Sequence, residues 1–223
     1  MSDEPRVCMD VFLPPSAEEL AVTNPWANGK TLRVHFLGGD PFVQEKVKTY
    51  ARLWEPHANI KFDFVNDLSS EIRVGFVMDG TSWSALGTDA LDPFFAPGEP
   101  TMNYGWLTPE SDEDEFARVI VHEFGHALGC IHEHQNPDGN IPWNKDAVYR
   151  YYADRGWNKA RVDQNLFRKY DLDQTQYSDF DRESIMLYPI PKELTDGQME
   201  VGWNRQLSNT DKAFIGERYP KNN

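Results

Sequence analysis

The sequence predicts an α+β fold, with a strand-rich first part followed by a mostly helical and irregular second part. Three observations carry that expectation. Alternation of period two runs through 31–37, 60–65 and 71–77, the spacing that turns every second side chain to the same face of a sheet. Helical spacing takes over from about residue 112. Finally, 223 residues with 39% apolar and 13% aromatic content can bury a sizeable core, a balance too aromatic for a disordered chain and too polar for a membrane protein. No stretch approaches the roughly 18 uninterrupted apolar residues of a membrane-spanning helix, so no membrane insertion is expected. The formal charge of −14 argues against nucleic acid as a partner, because phosphates would be repelled.

Residues 1–30 read as an irregular N-terminal arm, punctuated by Pro5, Pro14, Pro15 and Pro25 and without a sustained period. The charged opening Met1-Ser2-Asp3-Glu4-Pro5-Arg6 lacks the apolar stretch of a signal peptide, which leaves the localisation open. The first strand is expected over 31–37. Gly38-Gly39-Asp40-Pro41 then offers a turn, an N-cap aspartate and a proline at the first helical position. Val43, Val47, Tyr50 and Trp54 follow on one helical face. Two more strands come next, and 101–106 is a weaker strand candidate.

Four consecutive acids at 112–115 precede Phe116, Val119, Ile120 and Ala127. Carboxylates are favoured in the positively polarised first turn of a helix, so a helix is expected over about 112–129, stopped by Gly129. Further helical patterns lie near 144–154, 158–169 and 209–218. The last opens on a capping box of Ser208 and Asp211 and is stopped by Pro220. With no internal repeat, the simplest organisation is one unit over 31–223, made of subdomains of about 31–130 and 131–223 joined near residue 130.

Four of the six histidines fall within thirteen residues, in His122-Glu123-Phe124-Gly125-His126-Ala127-Leu128-Gly129-Cys130-Ile131-His132-Glu133-His134. Four residues apart on a helix, His122 and His126 stack on one face and can meet one metal ion. Glu123 lies roughly 100° round the helix from His122, poorly placed as a ligand but able to reach a water on the metal. Gly129 takes up a left-handed conformation at little cost, so the chain can turn there and bring His132 back to the ion. Three neutral imidazoles and one open position make a catalytic zinc site and not a closed structural one. Five specified residues in eleven are far harder to obtain by accident than an isolated H-E-x-x-H.

The run H-E-x-x-H-x-x-G-x-x-H resembles the zinc signature of the metzincin metallopeptidases. That resemblance implies a methionine turn downstream, which Ser184-Ile185-Met186-Leu187-Tyr188 matches, with Met186 as the floor beneath the zinc. Tyr188 matches the tyrosine that astacins and serralysins place beside the metal. Glu133 is similar to the residue following the third histidine in astacins, where it meets the amino terminus freed by propeptide removal. The sequence departs from typical astacin domains in its cysteines, since Cys8 and Cys130 can make at most one of their two disulfides. The family fold so implied is metzincin-like: two subdomains flanking an active-site cleft, a twisted N-terminal sheet with two long helices, and a helical or irregular C-terminal subdomain.

The motif and this resemblance together imply a zinc-dependent endopeptidase acting on protein or peptide substrates through one catalytic zinc ion held by His122, His126 and His132. Glu123 is the expected general base on the zinc-activated water, and Tyr188 the expected oxyanion donor that ligates zinc at rest. An extended substrate is expected to add itself to an exposed strand edge, with 101–106 as the candidate. A zinc hydrolase acting on other bonds and an inactive binding module are the alternatives, the second disfavoured by the intact Glu123. The resemblance favours secretion. The oligomeric state is open.

Cys8, in Pro5-Arg6-Val7-Cys8-Met9-Asp10, loosely resembles the cysteine-switch segment of latent matrix metalloproteinases, with spacing that differs by one residue. A thiolate there would displace the water from zinc. A free thiol in the arm and a bridge to Cys130 are the other two readings, and all three stay open. His35 and His57 are read as ordinary histidines, and only His134 is near enough to support the site. Asp171, Asp173, Asp179 and Asp181 are read as a solvated loop and not a calcium site, since the glycine of a calcium loop is missing.

Overall fold

The computed structural model describes residues 7–8, 25–169 and 179–221. Its scaffold is a six-stranded sheet built from β1 (Val7–Cys8), β2 (Thr31–Phe36), β3 (Lys61–Phe64), β4 (Ile72–Gly75), β5 (Thr81–Ser84) and β6 (Met102–Asn103). The order across the sheet is β1-β5-β6-β4-β2-β3. Strands β3, β2, β4 and β6 pair in parallel, β5 runs antiparallel to β6, and β1 lies outside β5 and parallel to it. Leu32, Val34, Phe62, Ile72 and Val74 supply the buried face.

Helix α1 (Pro41–Ala51) forms as its start signals predict, with the Asp40 side chain accepting from the Phe42 backbone N–H and Pro41 in the first turn. Val43, Val47 and Ala51 are buried along it, and Trp54 follows in a short 3₁₀ turn. Helix α2 (Glu113–Ala127) packs on α1 and carries its acids in the first turn. From Phe116 onward nearly all its residues are buried, because the sheet, α1 and the distant side chains Ile185, Met186, Leu207 and Ile215 share one core with it. Tyr50, half-buried, ties the two helices by donating its hydroxyl to Glu113.

The carboxyl end of α2 is closed by residues distant in sequence. Gly129 has a φ of +88°, reversing the chain so that Cys130 N–H reaches the Gly125 carbonyl at 2.9 Å. The carbonyls that a helix end leaves without internal partners are met by Trp26 Nε1 on Ala127 O at 2.7 Å and Tyr219 Oη on Leu128 O at 2.9 Å. Within the span read as an irregular arm, then, Val7–Cys8 forms a strand and Trp26 is part of the core.

Beyond residue 130 come α3 (Lys145–Ala153), α4 (Lys159–Val162) with a π turn over Asp163–Phe167, and α5 (Asn209–Arg218). The helix expected over 158–169 is thus one α turn that loosens into π geometry. Val148, Tyr152, Val162 and Leu166 build a separate cluster that includes Cys8 and Tyr188. Helix α5 opens on the predicted capping box and returns Ile215 and Tyr219 to the main core.

The sheet corrects one expectation. The segment 101–106 is not an exposed edge: Met102 and Asn103 are buried, paired to β4 on one side and β5 on the other. Their backbone groups are already used, so no peptide can add there. Beyond β6 lies β5, which no sequence pattern announces, and β1 covers its far side as the edge strand.

Candidate metal centre

His122 and His126 project from one face of α2, and the turn at Gly129 brings His132 to them. His132 Nε2 stands 3.2 Å from His122 Nε2 and 3.1 Å from His126 Nε2. The opposite ring nitrogens fix the tautomers. His122 Nδ1 faces Ile185 O at 2.8 Å and His126 Nδ1 faces Cys130 O at 2.7 Å, and since a carbonyl only accepts, each Nδ1 must carry the proton. The Nε2 lone pairs of those two rings therefore point at the common centre. Burial, then the neighbouring imidazoles, holds His122 far below the ordinary histidine range; burial and His134 do the same for His132. Those two rings are thereby held neutral, as metal ligands must be.

Such a cluster of buried lone pairs is the donor set a zinc ion requires. With Zn–N bonds of about 2.0–2.1 Å and tetrahedral angles, ligand nitrogens stand about 3.3 Å apart. The observed 3.1 and 3.2 Å match that spacing. The residues fit the metal.

A fourth ligand atom is present. Cys8 joins the three histidines in a buried group whose ligand atoms all lie within 4.8 Å of one another. Cys8 and Cys130 are not bonded to each other, which removes the disulfide reading. Cys130, buried on the far side of His126, has its thiol pushed up to about 12 by burial and is unreactive at neutral pH. The neighbour of Cys8 is Tyr188: its hydroxyl donates to the Cys8 carbonyl, and its ring lies 4.4 Å from His132 and 4.5 Å from His134. The arm thus brings a thiol beside the three imidazoles and engages the phenol expected to serve the reaction.

Met186 packs against α2 at Gly125, the residue before His126, and the glycine makes room for it. A Cβ at position 125 would come 2.4 Å from Met186 Sδ. The turn carrying Met186 is pinned by Asp211, whose carboxylate accepts from Ser184 Oγ at 2.7 Å, Ile185 N at 2.9 Å and Ser208 N at 2.9 Å. Ile185 O in turn holds His122, so α5 orients a metal ligand through one carboxylate. The sequence pattern marks Asp211 only as half of a capping box. The spacing of 26 residues to Ile185 gives no local signal of the second task.

Glu133 is turned away from the histidines. Its Oε1 accepts from Asn136 Nδ2 at 3.0 Å and Asp181 N at 2.9 Å, and burial pushes its carboxyl up to about 7 against those hydrogen bonds. Asp181, read as part of a solvated loop, is therefore tied to the residue beside His132. Asp171 and Asp173 lie outside the described residues. His134 is fully buried, faces Asn165 O at 2.6 Å and stacks on His132, the supporting place expected for it. Glu123 is fully buried on α2. A mostly apolar cavity opens beside His122, lined by Val119, Tyr151, Tyr152, Leu187, Trp203 and the arm residue Cys8.

No family model matches the chain. Among solved structures it resembles myroilysin, at 48% identity and a TM-score of 0.86 over 90% of this chain and 98% of that one. The chain belongs to the astacin-like metzincins. Other relatives of this astacin-like chain agree. The zinc metalloproteinase nas-24 of Caenorhabditis elegans is 26% identical over 169 residues, covering 73% of this chain and 35% of that protein. The zinc metalloproteinase nas-36 of the same worm is 24% identical, covering 82% of this chain and 28% of that protein. The chain spans about a third of the length of the curated relatives it matches. The hatching enzyme zinc-protease of Oryzias latipes, 17% identical with a TM-score of 0.59, shares the fold.

Proposed function

We propose that this astacin-like chain is a zinc-dependent endopeptidase held latent by its own arm. The observation that carries the reading is the convergence of three neutral imidazoles at 3.1 and 3.2 Å with Cys8 as a fourth donor. His122, His126 and His132 hold the ion. When bound, zinc supplies a Lewis acid and brings the pKa of its water to about 7. Glu123, one residue from His122 and shielded from solvent, takes the proton of the attacking water and returns it to the leaving amine. Tyr188 donates to the charge that develops on the carbonyl oxygen once its hydroxyl is released from Cys8.

Latency stems from what the arm occupies. Its strand lies along β5, where an extended peptide would otherwise pair, its thiol stands among the metal ligands, and its carbonyl engages Tyr188. An unfolded protein or peptide is the substrate class, and one of its side chains enters the apolar cavity beside His122.

Casein digestion with and without a chelator tests the reading. The full chain is expected to show weak, chelator-sensitive cleavage, and Cys8→Ala to raise it. Glu123→Gln in the same background should retain zinc and lose about a hundredfold or more in turnover. Absence of chelator-sensitive cleavage from zinc-loaded Cys8→Ala protein would overturn the endopeptidase reading. Equal activity with and without the thiol would overturn latency alone.

A further inference from the structure

Tyr104 is a buried phenol that the reaction above does not use. It follows β6 directly, is wholly buried, and packs its ring near Phe76 at 6.1 Å between centroids. Its hydroxyl has no hydrogen-bond partner among the described residues. A buried hydroxyl left so destabilises the fold, and a phenylalanine would fill the same space without that cost. The hydroxyl therefore calls for an account outside packing.

Strand register places it. Cys8 of β1 is opposite Ser82 of β5, and Trp83 of β5 is opposite Asn103 of β6, so the next antiparallel pair is Ser82 and Tyr104. Cys8, Ser82 and Tyr104 thus form one row across the sheet and share a face. Ser82 does not serve Tyr104, since its Oγ accepts from Gly105 N at 3.1 Å. Gly105 fixes the row: a Cβ there would meet the Thr81 backbone at 2.2 Å, so only glycine lets the two strands run this close. Burial holds that hydroxyl well above the ordinary tyrosine range, so it stays protonated as a donor, and the charges of Glu123, the base, and Cys8, the blocking thiol, add to the effect.

We propose that Tyr104 is a positioning residue for Glu123: with the Cys8 arm displaced, its hydroxyl donates to the Glu123 carboxylate and holds it in line for proton transfer. The inference rests on the endopeptidase reading and deepens it. While Cys8 occupies the site the hydroxyl is held in reserve, and it gains its partner when the site opens. It also accounts for a phenol kept where stability alone favours phenylalanine.

The test compares Tyr104→Phe with Tyr104 in the full-length Cys8→Ala chain, with Cys8→Ala/Glu123→Gln as the inactive control. The expected result is a fall in kcat of about ten- to a hundredfold, the range of one charge-assisted hydrogen bond, with KM and zinc content unchanged. A second readout needs no turnover: the melting temperature of the zinc-free and zinc-loaded proteins should be unchanged or raised by Tyr104→Phe. An unchanged kcat overturns the inference. So does a melting temperature lowered by several degrees, since the hydroxyl would then have a structural partner. If Cys8→Ala cleaves no better than the inactive control, the endopeptidase reading itself fails and this inference fails with it.

Discussion

At the scale of single residues, the site depends on atoms that are missing as much as on those present. Gly125 lies between the two helical histidines and has Met186 Sδ where a side chain would begin. Gly125→Ala must push either the methionine or α2 aside, and overpacking of this kind costs about 1–3 kcal/mol. The expected outcome is a lower melting temperature together with weaker zinc retention in a chelator competition, because the displaced turn also carries the Ile185 carbonyl that orients His122. The sequence showed the ligands at this scale clearly, since His122, His126, Gly129 and His132 act through local helix geometry. It did not show that Tyr188 engages Cys8, a contact between residues 180 positions apart.

At the scale of elements, two carboxylates join pieces of chain that local pattern could not relate. Asp211 carries the capping box of α5 and the methionine turn at once. Asp211→Ala removes the acceptor of three buried donors and is expected to cost about 2–4 kcal/mol, read as a lower denaturation midpoint with unchanged slope. Glu71 clasps β2, accepting from Lys30 Nζ at 3.1 Å and from Arg33 Nε and the Arg33 backbone N–H, each at 3.1 Å. Burial raises its pKa, but these bonds outweigh it and leave the carboxyl below its ordinary value. A folded-state pKa below the unfolded one adds stability above the unfolded value, and that stability is lost as pH falls through the folded one. Glu71→Gln should therefore lower stability by at most about 1 kcal/mol at neutral pH, with the deficit closing below about pH 4 in a melting series. Long elements were legible: α1 obeys its Asp40 cap, α2 its acidic first turn and its Gly129 stop, and both keep their periodicity. The four-residue β5 and two-residue β1 carry too little pattern to detect, and the order that buries β6 inside the sheet is set by non-local pairing.

For the whole molecule, the metal site is the joint between the main core and the second cluster. Ligands come from α2 and from the loop after it, their support comes from the methionine turn and α5, and the fourth donor comes from residue 8. Zinc binding should therefore stabilise the entire fold, by about 2.7 kcal/mol when free metal stands a hundredfold above its dissociation constant. Calorimetry with and without zinc should show one transition moving as a unit. The shift should be smaller for Cys8→Ala, which lacks the thiolate ligand. Equal shifts in both proteins would place the thiol outside the metal's coordination.

The Trp26 indole and the Tyr219 phenol are stitched together over the last turn of α2, and the Trp26 backbone N–H also donates to the Tyr219 hydroxyl at 3.2 Å. That knot lies downstream of Cys8 in the chain. A single scission anywhere between residues 8 and 26 severs the tether of the thiol and leaves the knot intact. Blockade would then change from an intramolecular event to a bimolecular one, and dilution alone would keep the site open. Such a change runs one way.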